Sequence, residues 1–306
     1  MLKSKLRRDH QYLLNNYFNF HVLDIYFKKY IENKYLRFIL ATFSFPFYII
    51  KNWNNINING IELVVTTKCN LNCKDCVNLM QYYDNPYNIE IENLVYDVKQ
   101  IIDIVDNILE LRVIGGEPLL NTELPKLLNF LAHQKKILTI VISTNGTVSL
   151  NQDLINSMKN EKIRVKISKY DTLNTKMKVK NFIQELEDND INIEIKYHST
   201  WSDFGDLEFR NRNQEEMIEI FENCKSSYRC GTILNGEYHL CPRSAHATSL
   251  GLVPKDKESF MNIRLKDESK RKMKKNLKRF LKTKPIGTCN YCDAWDMEIR
   301  EIAKQK

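Results

Sequence analysis

Eight cysteines occur in this 306-residue sequence, in three groups: Cys69, Cys73 and Cys76; then Cys224, Cys230 and Cys241; then Cys289 and Cys292. The first group lies in "TTKCNLNCKDCVNLM", directly after the apolar run "IELVV". Short-spaced thiols in a chain without an export signal point to metal ligation more than to disulfides. A structural zinc or a closed iron–sulfur cluster takes four ligands, so three local thiolates leave one coordination position open to an exogenous ligand. Catalytic zinc also keeps an open position, but its usual ligand sets include His, and no His lies between His21 and His133.

The later cysteines suggest a second site. In "CGTILNGEYHLC" an Asn-Gly step separates two apolar-alternating arms, a strong signal for a two-residue hairpin turn. That turn, at Asn235 and Gly236, sets Cys230 and Cys241 directly opposite each other, with Cα atoms ~5.5 Å apart in a hydrogen-bonded pair. A disulfide is one outcome. The expected one is two ligands of a shared metal site, which the pair Cys289 and Cys292 completes to four. Such a set suits an iron–sulfur cluster or zinc. Cys224 is left over.

These groups need elements to position them. Strand-like runs cover 61–67, 109–115, 137–145, 163–168 and 191–197, with helical patterns near 90–108, 122–134, 151–160 and 174–189. Ile- and Val-rich runs alternating with amphipathic helices indicate parallel strands in an α/β sheet or barrel, where chemistry gathers at the C-terminal strand ends. The three thiols follow the first strand, "GGEP" (115–118) the second, "STNGT" (143–147) the third and "SKYD" (168–171) the fourth. Four polar signals at successive strand ends describe one rim.

The remaining features are bounded by composition. The net charge of +8 resides in "SKRKMKKNLKRFLKTK", 269–284, with nine basic residues and no acid. With Met273, Leu277, Phe280 and Leu281 at helical spacing, it is expected to be a solvated helix face, an anionic partner being the other option. No nucleic-acid-binding module is visible. Residues 1–58 are aromatic and basic, and their longest uncharged run, Phe38 to Ile50, is 13 residues and contains Pro46. A membrane span needs ~20 apolar residues. A helical cap is expected there, with a peripheral membrane contact as the alternative. The apolar N-terminal residues are interrupted by charge and no small-residue cleavage site follows, so the cytoplasm is the expected compartment.

"CNLNCKDC" has the CxxxCxxC spacing of radical S-adenosylmethionine (radical SAM) enzymes, and "GGEP" after the second strand matches the second signature of that family. The chain therefore resembles this family over about residues 61–200. The resemblance implies a partial (βα)6 TIM-type barrel over residues 59–222, with Cys69, Cys73 and Cys76 ligating three irons of a [4Fe-4S] cluster and SAM chelating the fourth. It implies that Gly115 and Gly116 let backbone approach SAM, that Glu117 favours its ammonium group and that Ser168 lies near its carboxylate. Ser143, Thr144 and Asn145 are expected on the same rim. The sequence departs from the family in one place: the residue before the third cysteine, usually aromatic, is Asp75.

The thiols beyond 223 resemble the SPASM and twitch extensions of the same family. The resemblance implies a twitch-like domain over 223–306 and an auxiliary [4Fe-4S] cluster held by Cys230, Cys241, Cys289 and Cys292. Cys224 then replaces one of these four as ligand, is a spare thiol, or donates hydrogen to a substrate radical, as in radical SAM epimerases. The expected substrate is a small polar metabolite, a sugar for instance, oxidised with help from the auxiliary cluster; peptide maturation is the alternative. The expected electron donor is of the flavodoxin or ferredoxin type. His198, Trp201, Asp203 and Arg210 are substrate-site candidates because they follow the fifth strand.

Overall fold

The computed structural model of the chain describes Phe27 and residues 31–52, 55–170, 175–224, 226, 230–265, 268–282, 285–294 and 298–301. Most of the N-terminal segment before residue 31 therefore lies outside the described residues.

Five strands run parallel in chain order: β1 (Asn57–Thr66), β2 (Asn107–Gly115), β3 (Ile137–Thr144), β4 (Ile163–Tyr170) and β5 (Ile193–His198). Each lies close to its expected run. Leu63, Val113, Ile142 and Val165 form one buried row across β1 to β4, paired Leu63 with Val113, Val113 with Ile142 and Ile142 with Val165. Each such side chain taken out of water contributes about 1.5–3 kcal/mol before conformational entropy is subtracted.

Helices fill the intervals. After α1 (Lys34–Asn52) come α2 (Ile91–Ile104), α3 (Leu124–Ala132), α4 (Gln152–Met158), α5 (Lys176–Asp188) and α6 (Gln214–Asn223). On α2, Ile91, Leu94, Val98 and Ile101 are buried at the spacing of one helical face. Asn151 caps α4 by accepting from Leu154 N, and α6 begins with a complete Asn213/Glu216 capping box.

The chain beyond 223 continues the same sheet. The hairpin β7 (Gly231–Leu234) and β8 (Glu237–His239) turns at Asn235 and Gly236, both at positive φ (50° and 82°), as the Asn-Gly step requires. β7 runs parallel to β1, and β9 (Phe260–Asn262) completes the order β5-β4-β3-β2-β1-β7-β8-β9. The sixth parallel strand thus lies beside β1. The strand that follows β5, β6 (Trp201–Asp203), leaves the sheet and pairs with β10 (Glu298–Arg300). An expected boundary at 222/223 does not interrupt the sheet. α7 (Pro242–Ser249) follows the hairpin, and α8 (Lys270–Phe280) is the basic helix, with Met273 and Leu277 buried. Three of its lysines are paired: Lys270 with Asp103, Lys272 with Glu268 and Lys274 with Asp106. That is the solvated-face arrangement.

Alternate residues place charge on one sheet face. A chain of ion pairs crosses it from Glu62 on β1 to Arg112 and Glu110 on β2, Arg164 on β4, Glu194 on β5 and back to Lys166. Register puts Ser143, Ser168, Tyr170 and His198 on this same face, toward the C-terminal strand ends.

Candidate functional site

The three-thiol loop starts where β1 ends. Asn72, in the left-handed region at φ 45°, turns the chain into Cys73. Cys69, Cys73 and Cys76 then pack together with Leu71, Tyr170 and Trp201. Burial raises all three thiols above their ordinary range, Cys73 to about 12, with Cys76 and Cys69 close enough to add repulsion. Among the described residues no three His, Cys, Asp or Glu side chains converge on one ion position. A cubane makes a different demand, since each thiolate goes to its own iron.

The signature after β2 holds this loop. A side chain at Gly115 would overlap Thr66 O, and one at Gly116 would overlap Lys68 O and the Cys69 Cβ. The two glycines let the loop backbone dock on the end of β2, where Gly116 N donates to Thr66 O and Glu117 N to Lys68 O. Glu117, expected near the SAM ammonium group, bonds to groups of the chain itself. It is wholly buried, and its carboxylate accepts from Thr144 Oγ1 (2.8 Å), Asn145 N (2.8 Å) and Leu119 N (3.1 Å). Burial raises it to about 7. With no exposed surface, it ties the β2 end to the β3 end. Asn145 extends the tie, donating to Asn70 Oδ1 (2.8 Å) inside the thiol loop, while Asn70 donates to Thr147 Oγ1 (2.7 Å).

Ser143 and Ser168 lie on the polar face, with Tyr170 two residues beyond Ser168 on the same face. Sequence reasoning passed over Tyr170 and left Trp201 a bare candidate. Trp201 Nε1 donates to Asp75 O, and the Tyr170 ring lies 5.6 Å from the Trp201 ring and 5.5 Å from His198. An aromatic wall from β4 and β6 therefore stands beside the position where Asp75 replaces the usual aromatic. Its sequence signals were the missing aromatic at Asp75 and the placement of Tyr170 and Trp201 after the fourth and fifth expected strands. Arg210 belongs elsewhere: it forms a bidentate pair with Asp293 (2.9 and 2.7 Å), beside Cys292.

The second thiol group differs from the expected set. Cys224, Cys241, Cys289 and Cys292 line one cavity with Ile220, Phe221, Leu240 and Ile286. Cys241 is near enough to the other three to feel their charge, and its Sγ accepts from Ser244 N (3.3 Å) at the start of α7. Burial pushes Cys289 up to about 12 and Cys292 to about 11. Cys230 is not in this cavity: its Sγ lies 3.6 Å from Arg112 Nη1, near Glu62. The hairpin register is the expected one, with Thr232 opposite His239, but pairing stops there. Cys241 then leaves the strand to cap α7, while Cys230 keeps the facing of Thr232, whose hydroxyl donates to Glu62. Cys224 takes the fourth place because α6 ends on it.

Fold and site define a class: a parallel α/β protein with a three-thiol loop at the end of its first strand, clamped by the ends of the next two. Residues 63–174 match the Radical SAM superfamily, so this segment is a radical SAM domain, and a [4Fe-4S] cluster and SAM are the cofactors of that superfamily. Among curated proteins, GTP 3',8-cyclase of Helicobacter pylori is 25% identical over 226 residues, covering 69% of this chain and 64% of that protein. GTP 3',8-cyclase of Campylobacter jejuni is 28% identical over 179 residues, 55% of this chain and 53% of that protein. The chain thus spans less than two thirds of these relatives. The solved structure of native anSMEcpe with bound AdoMet shares the fold, with a TM-score of 0.51 at 13% identity, covering 77% of this chain and 83% of that one. No helix among the described residues is long and apolar enough to cross a membrane.

Proposed function

We propose that this chain is a radical SAM enzyme acting on a small polar substrate at the charged sheet face, with an auxiliary [4Fe-4S] cluster at Cys224, Cys241, Cys289 and Cys292. One observation carries the reading: the thiol loop, held by Gly115, Gly116, Glu117 and Asn145, opens where the ion-paired face of the sheet ends. Cys69, Cys73 and Cys76 would hold the cluster, which together with SAM would supply radical chemistry at a carbon-bound hydrogen of the substrate. The chain's own residues do the rest. Tyr170 and Trp201 shield the loop from water on one side and offer aromatic surface near Asp75. Glu62, Glu110, Arg112, Arg164, Lys166 and Glu194 present paired donors and acceptors that suit a hydroxyl- or phosphate-bearing molecule better than an apolar one. The activity named for the curated relatives makes GTP one substrate to assay, beside sugars and sugar nucleotides.

A second reading is favoured by a specific placement. If a thiol donates hydrogen to the substrate radical, Cys230 on the polar face is the better donor, because Cys224 lines the four-thiol cavity. One set of variants tests both. The reconstituted protein is expected to bind roughly eight irons and to yield 5′-deoxyadenosine from SAM under dithionite. Cys224→Ala and Cys241→Ala should fall toward about four irons, and Cys230→Ala should keep about eight. Full iron in Cys224→Ala with loss in Cys230→Ala would reverse the ligand assignment. Retained iron without 5′-deoxyadenosine in the wild type would end the reading.

A further inference from the structure

Arg243 lines the four-thiol cavity from α7, two residues past Cys241, and is 5% exposed. Its Nη2 donates to Gly205 O. Its Nε is buried and has no hydrogen-bond partner among the described residues. Nor does any carboxylate among them pair with it: the neighbouring Asp293 is taken by Arg210 and Arg212. The guanidinium of Arg243 is a fixed positive charge. Leaving such a charge buried without an anion is strongly unfavourable. A fold that keeps it there implies an anionic occupant of the cavity that Arg243 faces.

The cavity wall can supply that anion in one way. Thiols are neutral until they ligate metal, and ligation requires thiolates. Four thiolates on a [4Fe-4S] core of two positive charges leave a net charge of about −2, falling to about −3 on reduction. We propose that Arg243 is the built-in counter-charge of the cluster at Cys224, Cys241, Cys289 and Cys292 and that it raises that cluster's reduction potential. The inference rests on the auxiliary-cluster reading above. A fixed cation stabilises the reduced state, with its extra negative charge, more than the oxidised state, and the dry wall of Ile220, Phe221, Leu240 and Ile286 leaves this attraction poorly screened. Arg243 acts through the cluster and is a tuning residue, not a catalytic one.

The test uses full-length protein carrying Cys69→Ala, Cys73→Ala and Cys76→Ala, so that only the second cluster contributes to the EPR signal during a redox titration. Arg243→Met is expected to lower the midpoint potential by at least about 59 mV, a tenfold loss of electron affinity for a one-electron couple. Arg243→Lys, which keeps the charge, should stay within about threefold. Four bound irons and an unmoved potential in Arg243→Met would overturn the proposal and leave Arg243 as a mere anchor for Gly205. If Arg243→Met fails to load iron, the unsubstituted residue still decides. In protein labelled with ¹⁵N-arginine, pulsed EPR of the reduced cluster should show guanidinium ¹⁵N coupling that Arg243→Lys lacks, and absence of coupling overturns the proposal. Failure of the triple-Ala protein itself to bind iron would instead remove the auxiliary cluster, and the proposal with it.

Discussion

At the scale of single residues, the thiol loop is governed by groups that never touch the thiols' sulfur. Glu117 is the central one. Its carboxylate sits in a wholly buried position, and desolvation outweighs the three hydrogen bonds it accepts, so its pKa rises from 4.5 to about 7. The folded chain holds this proton more tightly than the unfolded chain. The stabilisation is therefore complete below about pH 4.5 and is lost as pH rises through about 7. Metal-free protein should lose on the order of 3 kcal/mol from this source between pH 4.5 and pH 8. Glu117→Gln should remove most of that slope in urea-unfolding midpoints, and an unchanged slope would show that the carboxyl stays ionised. Cys69, Cys73 and Cys76 were legible as a set because all three lie within one loop. Glu117 was legible as a site residue but its hydrogen-bond partners were not, because Thr144 and Asn145 come from another strand.

Elements are joined by a few buried ion pairs. Arg264, just after β9, grips Asp97 on α2, with Nη2 2.9 Å from Oδ2 and the aspartate side chain only 1% exposed. Burial raises the Asp97 pKa, and the guanidinium opposes that rise. Arg264→Ala would leave a buried carboxylate without its counter-ion. Allowing for the partial exposure of Arg264, the expected loss is roughly 2–3 kcal/mol in chemical denaturation. Arg264→Lys should recover about half of it. The helices themselves were readable from sequence, since the apolar spacing marks the buried faces. This pairing was not, because 167 residues separate its partners.

For the whole molecule, the placement of β7 beside β1 matters most. It means that the chain beyond 223 completes the edge of the radical SAM sheet as well as carrying the second thiol cavity. A fragment ending at residue 222 would expose the β1 edge at Ile61, Glu62 and Leu63 and strip Glu62 of Thr232. An uncovered, apolar edge strand pairs with other chains. The fragment should elute as aggregate in size-exclusion chromatography, and a monomeric, cooperatively unfolding fragment would show that the two regions are independent after all.

What the amino-acid sequence determined alone was everything decided within one turn or one strand. That includes the βα alternation, the Asn-Gly hairpin and the CxxxCxxC loop with its GGEP partner, because backbone geometry and the side-chain period act over a few residues. Tertiary structure decided which thiols meet. Cys230 and Cys241 match in register, yet the ladder ends at Thr232 and His239, and beyond that point packing directs one sulfur to α7 and the other to Arg112. Strand exits are set by long-range contacts, and so the fourth corner of the second cavity falls to Cys224 at the end of α6.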